Sequence, residues 1–131
     1  MKNLVFKTLS ILVATAFSIG VSAQSYPNKP IKFVVPFTAG SATDIVARTV
    51  AEAMGKSMGQ SIVIENKVGA GGTIATAQVA KAEADGYTVL VHSSGHVLNP
   101  ALYPNLSYDT VKDLTGVTTL AAIPNVLVVN P

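Results

Sequence analysis

Three short β-branched runs alternate with two stretches long enough and amphipathic enough to be helices, and this alternation constrains the fold more than anything else in the chain. Ile31–Val35, Ser61–Glu65 and Tyr87–Val91 read as strands. Ser41–Met58 reads as a helix, with Ile45, Val46, Val50, Met54 and Met58 near one face, Ser41 and Asp44 as a capping box, and Gly59 as its stop. Thr73–Ala84 reads as a second, alanine-rich helix, followed by a turn at Asp85-Gly86. Crossovers of that length pair strands in parallel with right-handed connections, so the expected fold is α/β. Further on, Pro100–Tyr103 starts a short helical turn, Tyr108–Leu114 reads as a weak helical piece, and Val117–Ala121 and Val126–Val129 read as additional strands.

In parallel sheets of this kind ligands bind beyond the carboxyl ends of the strands. Three segments fall there: Phe37–Asp44, Asn66–Thr73 and His92–Asn99. Gly40-Ser41-Ala42-Thr43 and Gly69-Ala70-Gly71-Gly72-Thr73 each lead into a helix. A helix start leaves backbone N–H groups without partners, and glycine lets a ligand come close to the backbone, so both turns suit a small anion. The phosphate fingerprints fail: Gly72 is followed by Thr73-Ile74 where a P-loop needs Gly-Lys-Ser/Thr, and a dinucleotide pattern from Gly69 meets Ile74 where it needs Gly or Ala. Ser41 and Asp44 have two readings. They cap the helix, or Ser41 donates to a ligand oxygen while Asp44 orients a water or accepts from a ligand amine or hydroxyl.

Residues 1–23 read as a secretory signal peptide, with Lys2 and Lys7 ahead of the apolar run Leu9–Val21 and cleavage after Ala23. Thirteen apolar residues make about 20 Å of helix, short of a membrane's hydrocarbon core. Removing Lys2 and Lys7 from nine basic residues leaves seven, against seven acids, so the mature part (24–131) is formally neutral. Together with a charged share of only 12%, this argues against nucleic acid or a membrane surface as partner. No cysteine is present, which excludes disulfides, thiolate nucleophiles and iron–sulfur clusters. His92 and His96 are too few for a three-imidazole zinc site. A hydrolase built on either histidine with Ser93 or Ser94, and Asp85 or Asp109, is an alternative. However, neither a G-x-S-x-G elbow nor an S-x-x-K pair occurs. Asn99 is a reasonable hydrogen-bond donor at the sheet edge, while Tyr103 and Tyr108 suit packing.

An ordered set of motifs then carries a resemblance. The set comprises Tyr26-Pro-Asn-Lys-Pro-Ile, Val35-Pro-Phe-Thr-Ala-Gly with Asp44 and Ala47-Arg48, Gly59-Gln60, Val63-Ile-Glu-Asn-Lys67, Gly69-Ala-Gly-Gly72, Val79-Ala80, Asp85-Gly-Tyr-Thr88, Asn99-Pro-Ala-Leu-Tyr103 and Tyr108-Asp109. In these the chain resembles the substrate-binding proteins of tripartite tricarboxylate transporters, the Bug family of periplasmic receptors. The resemblance implies an incomplete, parallel-sheet three-layer lobe of a type II-like periplasmic binding protein, with residues 24–131 as most of a first lobe and the signal peptide before it. It implies capture of a small carboxylate through main-chain N–H groups and ordered waters, and delivery to a permease with one large and one small subunit. The ligand classes compatible with that chemistry are di- and tricarboxylates, acidic amino acids and aromatic acids. No catalytic residue, metal or cofactor is implied, and a monomer is expected. Position by position, the first lobe's share of the site is Phe37, Thr38, Ala39, Gly40, Ser41 and Asp44, then Ala70, Gly71 and Gly72, with Ser93 and Ser94 as lesser members. Two departures stand out: Gly40-Ser41 replaces the family's usual Gly-Gly, and the chain is about half the family's length or less, as expected of a truncated receptor or a fragment without function of its own.

Overall fold

A computed structural model describes residues 25–122, 124 and 126–129, so the signal-peptide reading lies outside the described residues. Strand β1 (Ile31–Val35) occupies the centre of a three-stranded sheet, with β2 (Ile62–Asn66) on one side and β3 (Thr88–Leu90) on the other. Both pairings are parallel, with Ile31 opposite Ile62, Val35 opposite Asn66, Lys32 opposite Thr88 and Val34 opposite Leu90. β1 takes the centre because it is apolar on both faces. Ile31, Phe33 and Val35 pack with Ala47, Ala51 and Val91. Val34 points the opposite way, onto Ala75 and Val79. Helix α1 (Ala42–Met58) therefore covers one face and α2 (Thr73–Ala80) the other, giving the expected three layers.

The details depart from the sequence reading in four places. On α1 the buried stripe is Asp44, Ala47 and Ala51, while Ile45 is 57% exposed. Two alanines four residues apart let the helix axis come close to the sheet, and the larger Val50, Met54 and Met58 flank that contact half-buried. α2 ends at Ala80 rather than Ala84. Its last turn closes with an Ala82 N–H to Val79 O bond of 3.0 Å, and residues 83–86 offer no buried apolar side chain to extend it. Residues 108–114 form a self-closed turn instead of a helix. The Asp109 carboxylate accepts from the N–H groups of Val111 (2.9 Å) and Lys112 (3.0 Å), and the Asp113 carboxylate accepts from the N–H of Asp109 (2.8 Å). Val117–Ala121 and Val126–Val129 are not strands: they pair with none of the three described strands, and Val117 and Leu127 are 85% and 94% exposed. No helix among the described residues is long and apolar enough to cross a membrane.

Candidate functional site

Two parallel strands leaving a sheet toward opposite faces open a crevice at their carboxyl ends. Here that point lies between β1, which feeds α1, and β3, which feeds a 3-10 turn (Ser94–Leu98) and the short helix α3 (Asn99–Leu102). The three candidate segments meet at this edge. The Phe37 ring lies edge-on to His92, with centroids 5.4 Å apart, and His92 lies 5.2 Å from His96. A Cβ on Gly72 would run into the His92 Nε2 and meet Pro36 Cβ at 3.0 Å, so the second turn is seated against both neighbours. Asn99, 3% exposed, donates from Nδ2 to the Gly71 carbonyl at 3.3 Å. A Cβ on Gly71 would meet Tyr103 Oη at 2.8 Å.

The first turn is held from below by a buried carboxylate. Asp44 is 1% exposed. Its Oδ2 accepts from the Gly40 N–H (2.8 Å) and from Arg48 Nε (2.9 Å), and its Oδ1 accepts from Asn66 Nδ2 (2.8 Å). The same Asn66 amide donates to the Phe37 carbonyl (2.9 Å) and its Oδ1 accepts from Arg48 (3.1 Å). The Arg48 guanidinium, then the Gly40 N–H and Asn66, hold the Asp44 carboxyl well below the usual carboxylate range. Only half of the expected capping box forms. Ser41 Oγ accepts from the Asp44 N–H at 3.3 Å, but the return bond from Asp44 goes to Gly40, while the Ser41 N–H donates to Thr38 O at 3.1 Å. Asp44 thus positions the turn with both of its oxygens engaged inside the protein.

The N–H groups of Gly40, Ser41 and Gly72 are used internally, the last to Gly69 O at 2.9 Å. Among the described residues those of Thr38, Ala39, Ala42, Thr43, Ala70 and Gly71 have no acceptor in the protein. Thr38, Ala39, Gly40, Ala70 and Gly71 are exposed, as are Ser93 and Ser94, whereas Gly72 is buried. Ala70, at φ +45, is the one described non-glycine residue with a left-handed backbone.

The histidines do not form a hydrolytic pair with a serine. His92 Nδ1 bonds to the Ser93 main-chain oxygen at 3.0 Å, not to a hydroxyl, and burial lowers the pKa of both His92 and His96. Among the described residues no group of three or more His, Asp or Glu is placed to hold a metal. A hollow of about 570 Å³ lies along α1 and the amino-terminal part of β2, lined by residues such as Glu52, Gly59 and Ile62 and away from the turns. Arg48 and Asn66 were not singled out as site residues from sequence. Arg48 stands four residues after Asp44, the spacing of a helical ion pair, and was findable; Asn66 acts through contacts 22 and 29 residues away and left no local signal.

Comparison with known proteins gives a consistent picture. Residues 46–131 match the family described as the tripartite tricarboxylate transporter family receptor. BugT of Bordetella pertussis is 43% identical over 126 residues, covering 94% of this chain and 39% of that protein. The chain therefore spans about two fifths of that relative's length. The solved structure of the periplasmic binding protein BugD is 49% identical, with a TM-score of 0.65 over 67% of this chain and 29% of that one. MatC from Rhodopseudomonas palustris, solved with bound malate, is 42% identical, with a TM-score of 0.61 over 67% of this chain and 30% of that one.

Proposed function

The chain belongs to the tripartite tricarboxylate transporter receptor family, and from that premise we propose that it is the periplasmic substrate-binding component of such a transporter, taking up a small organic acid. The observation that supports this reading is that two main-chain turns, Thr38–Thr43 and Ala70–Gly71, with N–H groups that have no acceptor in the protein, lie at one edge of a parallel sheet and are linked there through Pro36, Phe37, Gly72 and His92. An N–H bond to a charged oxygen contributes about 1.5–3 kcal/mol, so three or four are substantial against the ~8 kcal/mol of micromolar affinity. The ordering cost of association is subtracted from that sum. Thr38, Ala39, Ala70 and Gly71 face the acid, Gly40 and Ser41 shape the first turn, Asp44 anchors it, and Phe37 and Gly72 form the floor. Ser93 and Ser94 supply hydroxyls at the rim.

Malate, bound in a solved relative, is the first acid to try. The reading includes export with cleavage after Ala23, residues 24–131 as part of a first lobe, a monomeric receptor, and hand-over to a permease with one large and one small subunit. It involves no catalytic step. Calorimetric titration of the chain with malate, citrate, glutamate and benzoate tests it. Binding of at least one acid, weakened by Gly71→Val, supports the proposal. Failure of every acid, or binding indifferent to that substitution, refutes it.

A further inference from the structure

The His92 ring lies between the Ser93 carbonyl and the Gly71–Gly72 backbone. Nδ1 lies 3.0 Å from the Ser93 oxygen. A carbonyl only accepts, so this bond puts the proton of the neutral ring on Nδ1. Nε2 is then a lone pair, buried and without a hydrogen-bond partner. It lies against Gly72, in the space a Cβ there would fill, and the Gly71 carbonyl is close enough to favour the charged ring. The other tautomer would only exchange the problem, leaving Nδ1 and the Ser93 oxygen as two facing lone pairs. Neither neutral form can serve both carbonyls, whereas the imidazolium has a donor for each. The Gly71 carbonyl has room for it, because its present donor, Asn99 Nδ2, is a long 3.3 Å away.

We infer that His92 is a proton-operated latch on the second turn: on protonation its Nε2–H donates to the Gly71 carbonyl, fixes the Ala70–Gly72 backbone and brings a positive charge beside the N–H groups there. The part of this inference that concerns a bound acid rests on the function proposed above. Burial opposes the charge, and so does His96, the one titratable group among the described residues whose charge acts on the ring. From the other sides His92 meets Phe37, edge-on, and Gly72, neither of which titrates. A carboxylate on the turn supplies the missing counter-charge, so acid binding and proton uptake favour each other.

The test follows the histidine ring carbons, the Gly71 carbonyl and the Gly72 amide of the full chain by NMR, from about pH 8 to about pH 5, the range in which imidazole titrates. Without ligand, the Gly71 and Gly72 signals are expected to move with the His92 midpoint. In His92→Gln, whose amide donates without a charge, they are expected to stay still. In His96→Gln the latch persists and the His92 midpoint rises. Gly71 and Gly72 signals that stay flat through the His92 titration, or that track His96, overturn the latch. Malate is then added. A midpoint raised by about one unit corresponds to about tenfold tighter binding of malate to the protonated form. Malate that binds without moving the midpoint overturns the coupling. Absence of binding counts against the proposed function alone, while the ligand-free result still decides the latch.

Discussion

Gly72→Ala tests whether the second turn is seated on the sheet edge as tightly as the geometry requires. Two costs add. Gly72 has φ +92°, where an L-residue costs about 1–2 kcal/mol. The new Cβ would also meet Pro36 Cβ at 3.0 Å and the His92 ring nitrogen, and overpacking of that kind costs about 1–3 kcal/mol. The expected loss is therefore about 2–5 kcal/mol. Gly40→Ala is the internal control: its φ is +83°, but nothing lies within 4 Å of its Cβ position, so only the first cost applies. For a domain of roughly 100 residues, each kcal/mol is about 4–8 °C in Tm. Urea and thermal denaturation by circular dichroism should rank wild type above Gly40→Ala, and Gly40→Ala above Gly72→Ala by about 1–3 kcal/mol. A double-mutant cycle with His92→Ala isolates the ring contact, and part of the loss should be recovered because the colliding nitrogen is gone. Equal stabilities for the two glycine variants would refute the close seating of Gly72 and, with it, the joining of the first and third segments through the second.

Other expectations follow from the same contacts. Asp44→Asn removes the charge that holds Gly40, Arg48 and Asn66, so its urea midpoint should fall below that of wild type. Because Asp44 is held below its ordinary value of 3.8, the stability it contributes is complete above that pH and is lost as pH falls below it. Acid titration of the unfolding midpoint should show a shallower loss below pH 3.8 in Asp44→Asn than in wild type. Val34→Ala deletes two methyl groups from a fully buried position between Ala75 and Val79, with an expected loss of about 2–3 kcal/mol from transfer plus cavity in urea denaturation. Lys56→Ala breaks only an exposed ion pair with Glu52, the side chains 75% and 70% exposed, and should cost no more than about 0.5 kcal/mol.

The framework of this fold was legible because its signals are local. β1 ends where Pro36 cannot continue a ladder, α1 starts at Ser41 and stops at Gly59 in a left-handed conformation, and each is written in adjacent residues. The orientation of α1 was less legible. Hydropathy ranks Ile45 above Ala47, but the helix approaches the sheet through its smallest side chains, and closeness of approach is a tertiary quantity. The tail misled for a related reason. Val117–Ala121 and Val126–Val129 have strand composition, but a strand is a pairing, and no described strand lies beside them. Glycine placement pointed to the sheet edge where the three candidate segments meet. Which N–H groups stay available could not be read, because Asp44 reaches back to Gly40 instead of Ser41, and Asn66 joins two segments that only the sheet brings together.

In the proposed site the donors are mostly backbone N–H groups because, Lys67 and Lys81 apart, the described lysines and arginine are paired elsewhere. Lys29 pairs with Asp85, Lys32 with Glu65, Arg48 with Asp44, Lys56 with Glu52 and Lys112 with Asp109. The one guanidinium near the first turn is already neutralised. An ammonium on an exposed edge would add little, since surface pairs contribute at most about 1 kcal/mol and must immobilise a long side chain. N–H groups in a turn that is already seated against Pro36, His92 and Asn99 are ordered before any acid arrives, so their contacts lose less to entropy on binding. On the function proposed above, a site of that construction would recognise the shape and charge of a carboxylate with little help from side chains. It also makes His92, the ring against the Gly71–Gly72 backbone, the natural place for pH to act.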